Sequence, residues 1–262
     1  MKLSIYQIDA FTENIFGGNP ACVIPLENWL EDDLLLKIAQ ENAVAETAFF
    51  IKKENFYHLR WFTPEVEMDL CGHATLASSY VIKNYIDLSC SKILFKTLSG
   101  DLNVFIENQF FTLDFPSRNP RKTVLPDLLK KSINILPQNV FKSRDFFLVY
   151  KNQKEVEDII INTEFFNKIN LSPGGVIFTA HGNNSDFVSR FFTPQASIME
   201  DPVTGSAHCS LIPYWSNILN KKEMIAIQLS KRKGKLYCTN KKERVLIKGK
   251  AKTYSVGNIW IP

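Results

Sequence analysis

The chain has 262 residues, 45% of them apolar and 20 of them Phe, an ordinary globular composition with an aromatic-rich interior. Its net charge of +4 does not mark a nucleic-acid binder, and Lys231-Arg232-Lys233 and Lys241-Lys242 read as solvated turns around strands. No apolar run reaches the ~20 residues of a membrane span; five scattered cysteines without CxxC or metal-ligand spacing point to reduced thiols and a cytoplasmic location.

Lys2–Ile8 alternates as a half-buried strand and not as a signal peptide. The loop Glu13–Pro20 follows, with Gly17-Gly18 supplying backbone freedom, and Ala21–Pro25 returns as a strand. Glu31–Ala43 carries Leu34, Leu35, Ile38 and Ala39 at helical spacing, with Asp32 and Asp33 in its first turn. Glu46–Ile51 and Phe56–Phe62 read as strands, and Ala74–Tyr85 as a helix apolar or small nearly all round, hence buried. Ile93–Lys96, Leu102–Ile106 and Phe110–Phe115 form a meander, and proline-rich Pro116–Pro126 closes a first half. The second half places short helices at Leu128–Ile133 and within Glu155–Ile169. Its strands fall at Phe146–Tyr150, Val176–Thr179 and Phe187–Phe192, then Ala226–Leu229, Lys235–Cys238, Val245–Lys248 and Tyr254–Ile261.

One segment occurs twice. Arg60–Tyr80 and Ser189–Trp215 share a strand, a proline loop and a helix, the second helix running from Ser206 into Leu219. Pro64 and Pro194 lie 130 residues apart, Gly72 and Gly205 133, so the second loop holds three extra residues. The duplication implies an α+β protein of two pseudo-symmetric halves, 1–115 and 116–252. Each is a curved mixed or antiparallel sheet around a central helix, and the two face each other across a cleft.

The candidate chemistry sits on these loops. Glu46 enters a strand among apolar neighbours, where a carboxylate can take and return a proton, although its position alone slightly favours a strand-edge charge facing water. His73 follows Gly72 at a helix start, as proton shuttle, substrate donor or capping residue. Asp201 opens a turn with Pro202, and Thr204 and Ser206 suit either helix capping or substrate contact. Free N–H groups at the two helix starts could hold a small anion. Cys71 could be an activated thiolate, but its counterpart, at Pro202 or Val203, is no thiol. His58, His181 and His208 lack ligand spacing, and no metal site is expected. The Gly-Gly-Asn-Pro loop matches no phosphate or dinucleotide fingerprint.

With QIDAFTENIFGGNPACVIPL, ENAVAETAFF, LRWFTPEVEMDLCGHATLA, LDFP, SRFFTPQASIMEDPVTGSAHCSL and VLIKGKAKTYSVGNIWI in this order, nearly the whole chain resembles the phenazine biosynthesis PhzF-like family. That family has the diaminopimelate-epimerase-like fold. The resemblance implies an active site in the cleft, a last strand (253–262) returning to the first half, and usually a homodimer. It implies an isomerase that needs no metal, flavin, pyridoxal phosphate or nucleotide and acts on a small unsaturated amino or hydroxy carboxylic acid. Glu46 matches the family's catalytic acid/base. His73, Asp201 and Ser206 match residues surrounding the substrate, and Gly72 and Gly205 the glycines that bring backbone N–H groups to it. Alternatives are an epimerase or racemase using Cys71 with Glu46, or a non-catalytic binding scaffold.

Overall fold

A computed structural model describes residues 1–171 and 174–262. One unit comprises Met1–Phe115 and Leu246–Pro262, the other Pro116–Val245. In the first, β1 (Lys2–Ala10) lies antiparallel to β2 (Asn19–Leu26), and α1 (Asp32–Asn42) leads to β3 (Glu46–Lys52), parallel to β2. Then β4 (Tyr57–Phe62) and the two-residue β5 (Glu67–Met68) precede α2 (Gly72–Val81). The meander is β6 (Lys92–Thr97), β7 (Gly100–Glu107) and β8 (Phe110–Pro116).

The second unit runs β9 (Arg121–Lys122), α3 (Asp127–Lys131), β10 (Asn139–Lys142), β11 (Phe146–Val149), α4 (Gln153–Glu157) and α5 (Thr163–Phe166). It continues with β12 (Val176–His181), β13 (Phe187–Phe192), α6 (His208–Leu219), β14 (Glu223–Gln228), β15 (Gly234–Asn240) and β16 (Arg244–Gly249). The last strand, β17 (Ala251–Trp260), is antiparallel to β1 from Ala10↔Ala251 to Lys2↔Trp260. The return to the first unit thus starts at Leu246, ahead of the residue 253 placed by sequence, because β16 already pairs with β8 before β17 joins β1.

Each unit buries one long helix. Along α2, Gly72 through Ser79 and Val81 are all buried. Its polar residues are tolerated because each hydroxyl bonds back to the helix: Thr75 to Cys71 O, Ser78 to Ala74 O at 2.7 Å and Ser79 to Thr75 O at 2.8 Å. The α-helix gives way after Val81 to a π turn over Ile82–Ile86, so the helical stretch reaches the Tyr85 end read from sequence with a changed winding. On the other side of this sheet, α1 packs Leu35, Ile38 and Ala39 against Ile24, Phe49 and Phe62, at about 1.5–3 kcal/mol per large side chain.

In α6, Pro213 cannot donate to Cys209 O four residues earlier. The Arg118 N–H takes that carbonyl at 2.8 Å, so the proline leaves no buried acceptor bare. α6 starts at His208, not Ser206. The preceding turn is tighter, closed by His208 N–H to Gly205 O and Cys209 N–H to Ser206 O, both 3.1 Å.

The repeated segments share one device. Arg60 grips Glu67 through two hydrogen bonds of 2.7 Å, and Arg190 grips Glu200 through bonds of 2.7 and 3.0 Å. Both loops close alike, Thr63 N–H on Val66 O and Thr193 N–H on Met199 O, each at 2.9 Å. The spacing is therefore 130 up to Pro194 and already 133 at Met199, which confines the three extra residues to 195–198. Thr204, not Pro202 or Val203, is then the counterpart of Cys71.

Arg190 also donates to the carbonyls of Val156, Glu157 and Ile159, at 3.0 to 3.3 Å. Arg190→Ala strands those carbonyls and the partly buried Glu200 carboxylate. It is expected to cost on the order of 2–4 kcal/mol, read as a lower urea midpoint. A midpoint unchanged from wild type would show that the fork does not hold the loop.

Candidate active site

Three elements deliver the first cluster. Asn19 opens β2, and its position depends on Gly18, whose φ is +62° and where a Cβ would fall 2.0 Å from Ala10 O. The loop before it is pinned by Phe16 N–H on Asp9 Oδ2 at 2.8 Å. Glu46 opens β3 directly after α1, held there by Asn42 Nδ2 on Thr47 Oγ1 at 3.1 Å. Cys71 and His73 flank Gly72 at the start of α2.

There His73 Nε2 approaches Glu46 Oε2 to 3.1 Å, with His73 only 2% and Glu46 13% exposed. The separation is that of an ion pair, but the alignment is not that of a hydrogen bond. The other ring nitrogen, Nδ1, lies 3.0 Å from Asn19 Nδ2 and 3.6 Å from Cys71 Sγ. Burial works against a charge on His73. The negative groups facing it, Cys71 when ionised and Glu46, outweigh that, and its pKa is raised well above the ordinary range. The Cys71 thiol is pushed up to about 11 by burial, and by Glu46, against the opposing pull of His73 and the Ala74 N–H. A cysteine at a helix start is often activated; here burial wins and it stays a thiol at neutral pH.

Asn19 escaped the sequence reading, although Gly-Gly-Asn-Pro was noted. Its amide can donate to an unprotonated Nδ1, leaving the N–H on Nε2 toward Glu46. Turned over, it can accept from a protonated Nδ1, so one residue can serve both states of the ring. The Gly72 and His73 N–H groups lie in the first turn of α2, outside its internal hydrogen bonds. Glu46, Cys71 and His73 also offer three ligand atoms within 4.8 Å of one another, so a metal-capable set exists where spacing along the sequence predicted none.

In the second unit, Asp201, Gly205 and Ser206 lie on one loop. The Thr204 hydroxyl donates to Asp201 Oδ2 at 2.5 Å and does not cap α6. Fully buried Gln228 donates to Asp201 O at 2.7 Å and accepts from Thr204 N–H at 2.8 Å. The Ser230 hydroxyl donates to Pro202 O at 2.7 Å. Ser206 is half-buried, and its hydroxyl caps nothing at α6. Gln228 and Ser230 carry no sequence motif and could be found only through the fold. His208 is fully buried beside Phe187 and bonds Thr204 O through Nδ1 at 2.9 Å. Burial pushes its pKa down to about 4 and keeps the ring neutral.

Together these features define an α+β protein of the racemase- and epimerase-like fold. A probable proline racemase from Agrobacterium radiobacter shares that fold at a TM-score of 0.68 and 7% identity, covering 99% of this chain and 93% of that one. The chain belongs to the phenazine biosynthesis-like protein family (PhzC-PhzF), whose model matches residues 8–257. A Pseudomonas aeruginosa relative named as an uncharacterized isomerase is 43% identical over 99% of both chains. The crystal structure of a PhzF-family phenazine biosynthesis protein from Enterococcus faecalis superposes with a TM-score of 0.93 at 42% identity, covering 100% of both chains. Isomerase is the class this family supports.

Asn19→Leu removes the amide from His73 Nδ1. The expected result is a changed tautomer ratio in ring ¹⁵N spectra, with little change in melting temperature; an unchanged ratio would remove Asn19 from the site. For His208, an unfolded histidine takes a proton near 6.5 and the folded one only near 4. Between those values the unfolded chain binds the extra proton, so stability present above pH 6.5 is lost as pH falls toward 4, by about 3 kcal/mol. Urea midpoints of wild type and His208→Gln across that range should diverge in slope, and parallel curves would refute the assignment.

Proposed function

We propose that the chain is a cofactor-independent isomerase that moves a proton on a small unsaturated amino or hydroxy carboxylic acid, with Glu46 as the acid/base. Supporting this reading is the buried approach of Glu46 Oε2 to His73 Nε2 at 3.1 Å. Glu46 takes a proton from a carbon acidified by conjugation to the carboxylic acid group. Once protonated, it returns that proton at a second carbon on the same face. A ring N–H of His73 steadies the carboxylate before and after transfer. The Gly72 and His73 N–H groups offer two donors for the substrate carboxylate at the positive end of a helix. Asp201, Gly205 and Ser206 are proposed as further substrate contacts by their match to the family's motif. An epimerase reading built on Cys71 is weaker, because its thiol is held up at about 11 and its counterpart Thr204 is not a thiol.

The test uses a panel of small unsaturated carboxylic acids, dihydro-hydroxyanthranilate among them, followed by NMR in deuterated water. Glu46→Gln keeps shape but cannot transfer the proton, so kcat should fall by at least about 10²–10⁴-fold with KM within a few-fold. Wild type should return part of the abstracted protium to product. Cys71→Ser should retain most activity. Turnover of Glu46→Gln within a few-fold of wild type would sink the one-base mechanism, and a Cys71→Ser loss matching that of Glu46→Gln would favour the epimerase.

A further inference from the structure

Three side chains of the first unit converge. Glu46 comes from the start of β3, Cys71 and His73 from the start of α2. Their carboxylate oxygen, sulfur and ring nitrogen all lie within 4.8 Å of one another. Two of these atoms make no hydrogen bond. His73 Nε2 and Glu46 Oε2 are buried and 3.1 Å apart, yet not aligned to bond each other. Two buried polar atoms left so are costly, and they call for a group that satisfies both. A cation beside them does, because each lone pair then points at the ion and not at the other atom. At ordinary zinc bond lengths their separation corresponds to an angle of about 100° at the ion, near tetrahedral.

Cys71 supplies the third ligand. Its sulfur turns on a single torsion and can close on the ion. As a thiolate it joins the Glu46 carboxylate in cancelling both charges of a divalent cation. That balance matters where His73 is 2% and Glu46 13% exposed, since an uncompensated charge there would be expensive. The other ring nitrogen, Nδ1, is left to Asn19, whose amide lies 3.0 Å away and, turned over, accepts the Nδ1 proton. Imidazoles that bind a metal through one nitrogen are held in this way through the other. Thiolate, imidazole and one carboxylate suit ions of the zinc class, whereas magnesium and calcium take oxygen ligands.

We propose that Glu46, Cys71 and His73 form an inhibitory site for a thiophilic divalent cation of the zinc class, bound through Oε2, Sγ and Nε2 with one position open. The cation displaces the thiol proton to solvent and occupies the carboxylate that would take the substrate's proton, so the metal-bound chain does not turn over. That consequence, though not the binding, rests on Glu46 as the acid/base. Cys71, dispensable for proton transfer, becomes the residue that makes the same cluster sensitive to metal.

Cadmium is the probe, because its bond to a thiolate gives an ultraviolet charge-transfer band. Titration of wild type should saturate at one ion per chain, and zinc should displace it. Cys71→Ser should abolish the band. Glu46→Gln and His73→Gln should each weaken binding at least about 100-fold, since a ligand costs no less than an outer partner, with circular dichroism unchanged. In wild type itself, zinc should shift the His73 Nε2 resonance in ring ¹⁵N spectra and leave Nδ1 protonated. Absence of a band would overturn the site. So would a band that survives Cys71→Ser, which places the ion on another thiol, or one that keeps its affinity in Glu46→Gln, which reduces it to a lone thiol adduct. With a confirmed substrate, zinc should inhibit wild type at the concentrations that fill the site, and Cys71→Ser should stay active in them. Full turnover by zinc-filled wild type would count against Glu46 as the acid/base and leave the metal site standing.

Discussion

The loops that lead into α2 and α6 each depend on one bidentate Arg–Glu fork. Arg60 and Arg190 stand in the strands before the two helices, Glu67 and Glu200 in the loops that lead into them. The fork fixes where the loop leaves its strand and so where the next backbone N–H groups point. Planar guanidinium and carboxylate groups meet in one geometry, and a lysine would not impose it. Both forks are largely withdrawn from water, with Arg60 16% and Arg190 13% exposed. Their loss would displace the residues beyond them and not merely a surface pair.

What the forks deliver is a helix start with spare donors and a side chain of choice at each fixed place. In the first unit the positions around the glycine carry Cys71 and His73; in the second they carry Thr204 and Ser206. The second loop is then locked by buried side chains, Gln228 and Ser230, that spend their hydrogen bonds on its backbone. Buried amides and hydroxyls are tolerable there because the bonds they make to the backbone also remove unsatisfied loop carbonyls and N–H groups. Rigidity of the loop and satisfaction of the core are the same set of contacts.

Much of this was legible in the sequence. The duplicated proline loop and glycine helix start predicted two units with a buried helix each; Glu46 stands at a strand start, His73 at a helix start, and Asp201 and Ser206 on a loop, the local positions their neighbours implied. Other features were not legible, for physical reasons. The position of the three extra residues depends on Arg190 reaching Glu200, a contact that no spacing rule contains. Asn19 joins His73 across 54 residues, and Gln228 reaches Thr204 across 24. The early start of β17 reflects pairing with β1 at the far end of the chain. Local pattern reports local preference; these placements are tertiary.

The first cluster also separates two chemistries that the same three residue types could support. A thiol acting as base must ionise near neutral pH. Burial and the neighbouring carboxylate hold Cys71 up at about 11, and the helix start cannot offset them. A carboxylate needs no such activation, and Glu46 keeps 13% of its side chain exposed, with His73 Nε2 3.1 Å from its carboxylate. The imidazole is held by Asn19 on one nitrogen and lies beside Glu46 with the other, so in the proposed mechanism a proton leaving or joining the carboxylate meets a ring already placed. The favourable charge of His73 and the unfavourable burial of Cys71 thus arise from one arrangement. Dry surroundings suppress the thiolate, while the carboxylate of Glu46 beside the ring favours the charge on His73.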